Sequence, residues 1–177
     1  MLEEEKMIAH PTIGVFAGIF NREGCILLKR REKDESLPGD WDLPGGGVEE
    51  EKNVKALDER VIGDELRREV EEEIGIILPP LQSMQAMYPA VISGGEDWAF
   101  GIPIGIINEK PRKGEWRYFS PAELEDLARQ PEGNRLVGGP GKRMHRLALQ
   151  MLASRDCPNE EYRRIARRLL NKYQSKL

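Results

Sequence analysis

Trp41-Asp42-Leu43-Pro44-Gly45-Gly46-Gly47 and, further on, Arg68-Glu69-Val70-Glu71-Glu72-Glu73-Ile74-Gly75-Ile76 decide how this 177-residue chain is read. At 3.6 residues per turn Glu69 lies about one turn from both Glu72 and Glu73, so the three carboxylates share a stripe about 100° wide. Leu66, Val70 and Ile74 fill the adjacent arc and predict the face that packs on a core. Gly75 predicts the end of the helix, and Pro79-Pro80 forbids its continuation. Like charges this close destabilise a helix unless something neutralises them. A hard divalent cation with oxygen ligands does so, whereas a solvated acidic face is the plainer reading of a charge run.

The residues around the acids favour the cation. The string resembles the Nudix box, G-x5-E-x7-R-E-U-x-E-E-x-G-U with U aliphatic: Arg68, Glu69, Val70, Glu72, Glu73, Gly75 and Ile76 match its second half at every specified position. Pro44-Gly45-Gly46-Gly47-Val48-Glu49 and the preceding Pro38-Gly39-Asp40 are similar to that family's approach to the box. One departure stands out. Where the pattern has a Glu eight residues before the Arg, this chain has Arg60; counted forward from Gly46, the expected Glu falls on Lys52, beside Glu51. An insertion of about eight residues therefore lies between Glu51 and Asp64. Either Gly63-Asp64 breaks the segment, with Asp64 capping the acidic helix, or one helix runs on from Asn53 through Val54, Leu57 and Val61.

The rest of the chain predicts one domain over residues 1–177, its core at about 12–127 with a helical extension at 142–177. Thr12 to Phe20 reads as a buried strand, Asn21 to Gly24 as a turn, and Cys25 to Arg30 as the hairpin partner. Leu81 to Ile92, Trp98 to Ile107 and Glu115 to Phe119 read as further strands, and Ser120-Pro121-Ala122-Glu123 opens a capped helix. Strands, helix, strands and helices in that order predict an α/β (α+β) fold. The resemblance implies an α/β/α sandwich around a mixed sheet, here with extra C-terminal helices.

Composition narrows the function. With 39% hydrophobic and 33% charged residues, no 18-residue apolar run and an acidic N-terminus, the chain predicts neither a membrane span nor a secretory signal. Cys25 and Cys157 stand far apart without CxxC or His partners, so a disulfide scaffold and a zinc site are not expected and a reducing cytoplasm is. The net charge of −4 is uneven: residues 142–177 carry ten Lys/Arg against three Asp/Glu, leaving −11 for residues 1–141. Tyr162, Ile165, Leu169, Tyr173 and Leu177 recur at three- and four-residue steps in that basic tail. This pattern predicts a helix docked on the acidic body or on a second subunit, in preference to a nucleic-acid surface. Homodimerisation is compatible with it.

By resemblance, the activity is hydrolysis of a nucleoside diphosphate linked to another moiety X: a sugar nucleotide, ADP-ribose or a nucleoside triphosphate. The resemblance makes Glu69, Glu72 and Glu73 ligands of Mg²⁺ or Mn²⁺, joined by a backbone carbonyl at Gly45. Arg68, one turn from Glu72, reads as an orienting residue. The general base is Glu69 or an acid on a later loop, with Glu96, Glu109 and Glu115 as the candidates and Glu96 and Glu115 kept. Arg30, Arg31 and Gly46 are the substrate-binding candidates, and Arg112 and Lys113 are more distant ones. Gly138 to Lys142 only superficially resembles a phosphate loop, since Leu136 stands where Gly is required and Arg143 where Ser or Thr is. Two other classes share the fold: a non-hydrolytic nucleotide sensor, disfavoured by the intact acids, and an isopentenyl diphosphate isomerase-like enzyme. The latter needs a Cys in the site, and Cys25 is placed in a strand.

Overall fold

The structure, a computed structural model, describes residues 13–48, 59–80, 88–91 and 98–174. Its strands are β1 (Ile13–Phe20), β2 (Ile26–Arg30), β3 (Trp41–Asp42), β4 (Gly45–Gly47), β5 (Tyr88–Val91), β6 (Trp98–Ile106) and β7 (Trp116–Phe119). Its helices are α1 (Glu59–Ile74), α2 (Pro121–Ala128), α3 (Arg143–Ala153) and α4 (Glu160–Gln174). The sheet runs β3-β2-β1-β6-β5, with β4 added on β1 and β7 on β2. β1 and β6 are parallel, and the other described pairings are antiparallel. This is the α/β fold that the order of elements predicted, with the mixed sheet between helices that the resemblance implied.

Strand alternation sorts the two layers. Ile13, Val15, Ala17 and Ile19 of β1 point to one face and pack with Leu66, Val70 and Ile74 of α1. Phe16 and Phe20 point the other way and pack with Leu147, Met151 and Leu152 of α3 and with Leu169 of α4. Leu66, Val70 and Ile74 are wholly buried, so each contributes about 1.5–3 kcal/mol to holding the acidic helix on the sheet. On the α3 side, Gly18 lets the helix come close: a Cβ there would lie 2.5 Å from Met151 Sδ.

Several local expectations are met. Gly75 ends α1 at φ 72°, its N–H donating to the Glu71 carbonyl, and the Ser120 side chain caps α2 by accepting from the Glu123 N–H. α1 passes through Gly63-Asp64 without interruption, so the break with Asp64 as N-cap does not occur. Ile62 and Leu66 bracket these residues and are both buried, which keeps the segment on the sheet. Residues 53–58, over which the continuous reading would extend, lie outside the described residues. The amphipathic tail docks on its own chain: Tyr162, Ile165 and Tyr173 pack on the α3 core, and Lys172 Nζ meets Glu125 Oε1 at 3.0 Å. No helix among the described residues is long and apolar enough to cross a membrane.

His145 packs at the centre of this layer. Its ring is wholly buried, its Nδ1 accepts from the Gly141 N–H at 2.9 Å, and Tyr173 stacks edge-on at 4.9 Å. Burial pushes its pKa down to about 4, with Glu125 opposing and Arg129 assisting. An unfolded imidazole titrates near 6.5, so between about 6.5 and 4 the unfolded chain holds a proton that the folded chain lacks. His145 therefore contributes fully above pH 6.5 and loses its contribution as pH falls through that window, by about 1.4 kcal/mol per unit. Glu73, raised to about 7 by burial, works in the opposite direction over a similar range, so the total curve masks the effect. The stability difference between wild type and His145→Asn in urea is expected to shrink from pH 6.5 to pH 4. A constant difference would mean that the folded imidazole already carries its proton.

Candidate active site

The apolar stripe of α1 fixes where its acids project. Arg68 sits among them, Nη2 donating to Glu65 Oε2 and Glu69 Oε1, both at 2.8 Å, and Nη1 to Glu72 Oε2 at 3.0 Å. These bonds, Glu65 first, raise its already high pKa. One guanidinium thus relieves the repulsion that the sequence left unresolved, and it fixes the rotamers of three carboxylates. The expected Arg68–Glu72 pair is present, but Glu65, 1% exposed, is the partner that sequence reading missed. It sits one turn before Arg68, opposite Glu72, which is the signal that would have found it.

Glu73 faces the sheet. Its Oε1 lies 2.5 Å from Lys29 Nζ and its Oε2 accepts the Gly45 N–H at 3.0 Å. Burial pushes its carboxyl up to about 7, against the stabilising pull of Lys29 and Gly45 on the charged form. Lys29 is 6% exposed, and its ammonium also lies 3.7 Å from Glu35. Strand period places Lys29 on the α1-facing side with Leu27, and a cation on a buried face implies a buried acid. Beside it, on the partner strand, Asp42 is buried; burial raises its pKa while Arg31, 2.9 Å away, holds it down.

Two glycines set the other wall. Gly45 has φ 151°, and a Cβ on it would lie 2.0 Å from the Val15 carbonyl oxygen. A Cβ on Gly46 would lie 2.6 Å from Glu69 Cδ, so a larger residue cannot occupy this position without moving that carboxylate. The strand Gly45–Gly47 and the acids of α1 are therefore pressed together.

Two clefts open here. One, of about 360 Å³, is lined by Glu73, Lys29, Asp42 and Gly45–Gly47 on one side and by Phe16, Leu37, Val137 and Arg143 on the other. The second, of about 210 Å³, is lined by Glu72, Glu73, Lys113, Arg30 and Glu115. Among the sequence candidates, Glu115 thus comes beside two of the acids and pairs with Arg30 at 3.2 Å. Arg30 and Arg31 reach the clefts but spend their donors on the protein. Arg30 bonds the Gly39 and Gly133 carbonyls, and Arg31 bonds Asp42 and Ser36. Glu96 lies outside the described residues. Phe100 is 8% exposed and belongs to the α1-side core. Cys25 lies in neither cleft, and its thiol is pushed up chiefly by burial; the isomerase-like alternative finds no site cysteine there.

A NUDIX domain model matches residues 9–137, nearly three quarters of the chain. The chain belongs to the Nudix family. It is 30% identical over 115 residues to an uncharacterised Nudix hydrolase of Listeria monocytogenes, spanning 62% of this chain and 63% of that relative's length. Among solved structures it resembles a MutT protein from Methanosarcina mazei Go1, at 26% identity and TM-score 0.53, over 74% of this chain and 88% of that one. It also resembles a MutT Nudix hydrolase from Burkholderia pseudomallei, at 27% identity and TM-score 0.50, over 80% and 98% of the two chains.

The second half of the Nudix box is thus the last two turns of α1, laid against the glycine strand. Among the described residues no three His, Cys, Asp or Glu side chains are gathered into a cation cage. Glu69 and Glu72 turn to Arg68 while Glu73 turns to Lys29. The donor chemistry nevertheless fits Mg²⁺ or Mn²⁺: hard carboxylate oxygens on one helical face, which the protein currently neutralises with its own cations.

Proposed function

We propose that this Nudix protein hydrolyses the pyrophosphate linkage of a nucleoside diphosphate joined to a moiety X, in a reaction requiring Mg²⁺ or Mn²⁺. The observation that carries the reading is the set Glu69, Glu72 and Glu73 on one face of α1: Glu73 bonds the Gly45 N–H and lines both clefts, Glu72 lines the smaller one, and Glu69 abuts Gly46. Glu69, Glu72, Glu73 and the Gly45 carbonyl are the ligands. There they would hold a divalent cation, which would supply Lewis-acid chemistry: offset of phosphate charge and easier deprotonation of water. Arg68 orients Glu69 and Glu72. Lys29 holds Glu73 in its buried position and keeps a positive charge beside the cleft where a polyphosphate would lie. Glu69 accepts the proton of the attacking water; Glu115, across the smaller cleft from Glu72, is the alternative base.

Arg30 and Arg31 act by bracing the loops that wall the cleft, since their donors are spent on Gly39, Gly133, Ser36 and Asp42. The reading is tested by phosphate release coupled to alkaline phosphatase, with Mg²⁺ or Mn²⁺. The panel spans ADP-ribose, sugar nucleotides, dinucleoside polyphosphates, NADH and canonical or oxidised deoxynucleoside triphosphates. At least one strong hit that disappears with a chelator is expected. Silence across the panel, with metal binding shown separately, would move the reading to a nucleotide sensor.

A further inference from the structure

The larger cleft crosses the end of the sheet between the two helical layers, and its walls differ chemically. On the α1 side, the acids are Glu35, Asp42 and Glu73, and each is engaged: Glu73 and Glu35 by Lys29, Asp42 and Glu35 by Arg31. On the α3 side the lining is Phe16, Val137 and Arg143, with Leu37 at the rim. Arg143 is half-buried, opens α3, and has no hydrogen-bond or ion-pair partner among the described residues. The first turn of α3 contains no acid to take up its charge. Lys29 and Arg31, the other cations lining this cleft, are both committed to carboxylates.

Arg143 stands on a braced wall. Val137 donates its N–H to the Trp41 carbonyl and Trp41 donates to the Arg135 carbonyl, tying the approach to α3 onto β3. The Asp40 side chain accepts the Gly133 N–H at 2.7 Å, joining the same two loops. Leu37, 46% exposed, is carried over the cleft at φ 52° by a loop that the Arg31 guanidinium clasps through Ser36. A guanidinium held at a partly desolvated, apolar-walled position has five donors in a planar fork, and a carboxylate or phosphate satisfies two of them at once.

Resting on the hydrolase reading above, we infer that Arg143 is a specificity-determining residue and that X carries an anionic group of its own, a carboxylate or phosphate besides the bridging pyrophosphate. The acids of α1 hold the reacting end of the substrate, Phe16, Leu37 and Val137 take its apolar surface, and Arg143 receives the second anion. Neutral X leaves the guanidinium without a partner in a site partly shielded from water, so it binds less well.

Matched ligands that differ by one anionic group on X test this: UDP-glucose against UDP-glucuronate, and ADP-ribose against ADP-ribose 1″-phosphate. Affinity is measured calorimetrically and kcat/KM by chromatographic separation of the products, for wild type, Arg143→Ala and Arg143→Lys. Wild type is expected to favour the anionic member of at least one pair by tenfold or more in both measurements. The two pairs separate a carboxylate from a phosphate. Arg143→Ala should bring the two members of that pair to similar affinity, with Arg143→Lys intermediate, and the preference should weaken as salt rises. Equal wild-type affinity within both pairs, no binding of either pair, or an unchanged preference in Arg143→Ala would each overturn the inference. If calorimetry discriminates in an Arg143-dependent way but neither these ligands nor the wider panel is hydrolysed, the inference about the cleft stands and the hydrolase reading falls.

Discussion

Glu72→Gln is expected to lower kcat by at least about a thousandfold, which corresponds to about 4 kcal/mol of transition-state stabilisation. The side chain keeps its shape and loses the charge needed to hold a divalent cation, so the loss should appear in kcat and not be recovered by more substrate. The fold should be untouched, because Glu72 is 60% exposed and its bond to Arg68 is a surface pair worth about 0–1 kcal/mol. Glu73→Gln should cost as much activity for the same reason. Its stability cost should exceed that of Glu72→Gln, since the amide leaves the buried Lys29 ammonium with Glu35, 3.7 Å away, as its remaining carboxylate. Steady-state kinetics with saturating Mg²⁺, alongside thermal melts, give the answer. Near-normal turnover by both variants would remove the acids of α1 from the chemistry.

Gly45→Ala is expected to be the most damaging Gly→Ala change among the described residues. Its Cβ would stand 2.0 Å from the Val15 carbonyl oxygen and 2.7 Å from Phe16 Cα, both backbone atoms of the central strand. Neither can swing aside as a side chain could, and φ 151° is strained for any residue with a Cβ. Combining backbone strain with steric overpacking, a loss of about 2–4 kcal/mol is expected. Displacing β4 also withdraws the amide that Glu73 accepts, so activity should fall with stability. Gly47→Ala is the control, because nothing lies within 4 Å of a Cβ there. Urea unfolding of the two variants measures the difference; equal stability would mean that β4 does not lie where it is described.

Local features were readable from sequence wherever the cause was itself local. α1 follows from the spacing of Leu66, Val70 and Ile74, its end from Gly75, and the start of α2 from Ser120 and Glu123. The stripe of acids needed only the helical period. The break at Gly63-Asp64 was a fair local alternative, since Gly and Asp both disfavour helix interiors. It lost because burying Ile62 and Leu66 against β1 outweighs about 1 kcal/mol of poor propensity.

What period and spacing could convey was the identity of the acids and the face they share. What they could not convey was who meets those acids, because the partners come from far along the chain. Lys29 reaches Glu73 across 44 positions and Gly45 across 28, and Arg143 enters the cleft from a helix beyond the family-matched region. Arg30 and Arg31 looked like substrate ligands for the converse reason. An arginine's charge is visible in sequence, but the carbonyls and the carboxylate that occupy it appear only when Gly39, Asp42 and Gly133 fold around it. Electrostatic energy depends on distance through space and on burial, and both are set by sheet pairing and layer packing, not by neighbours in the chain.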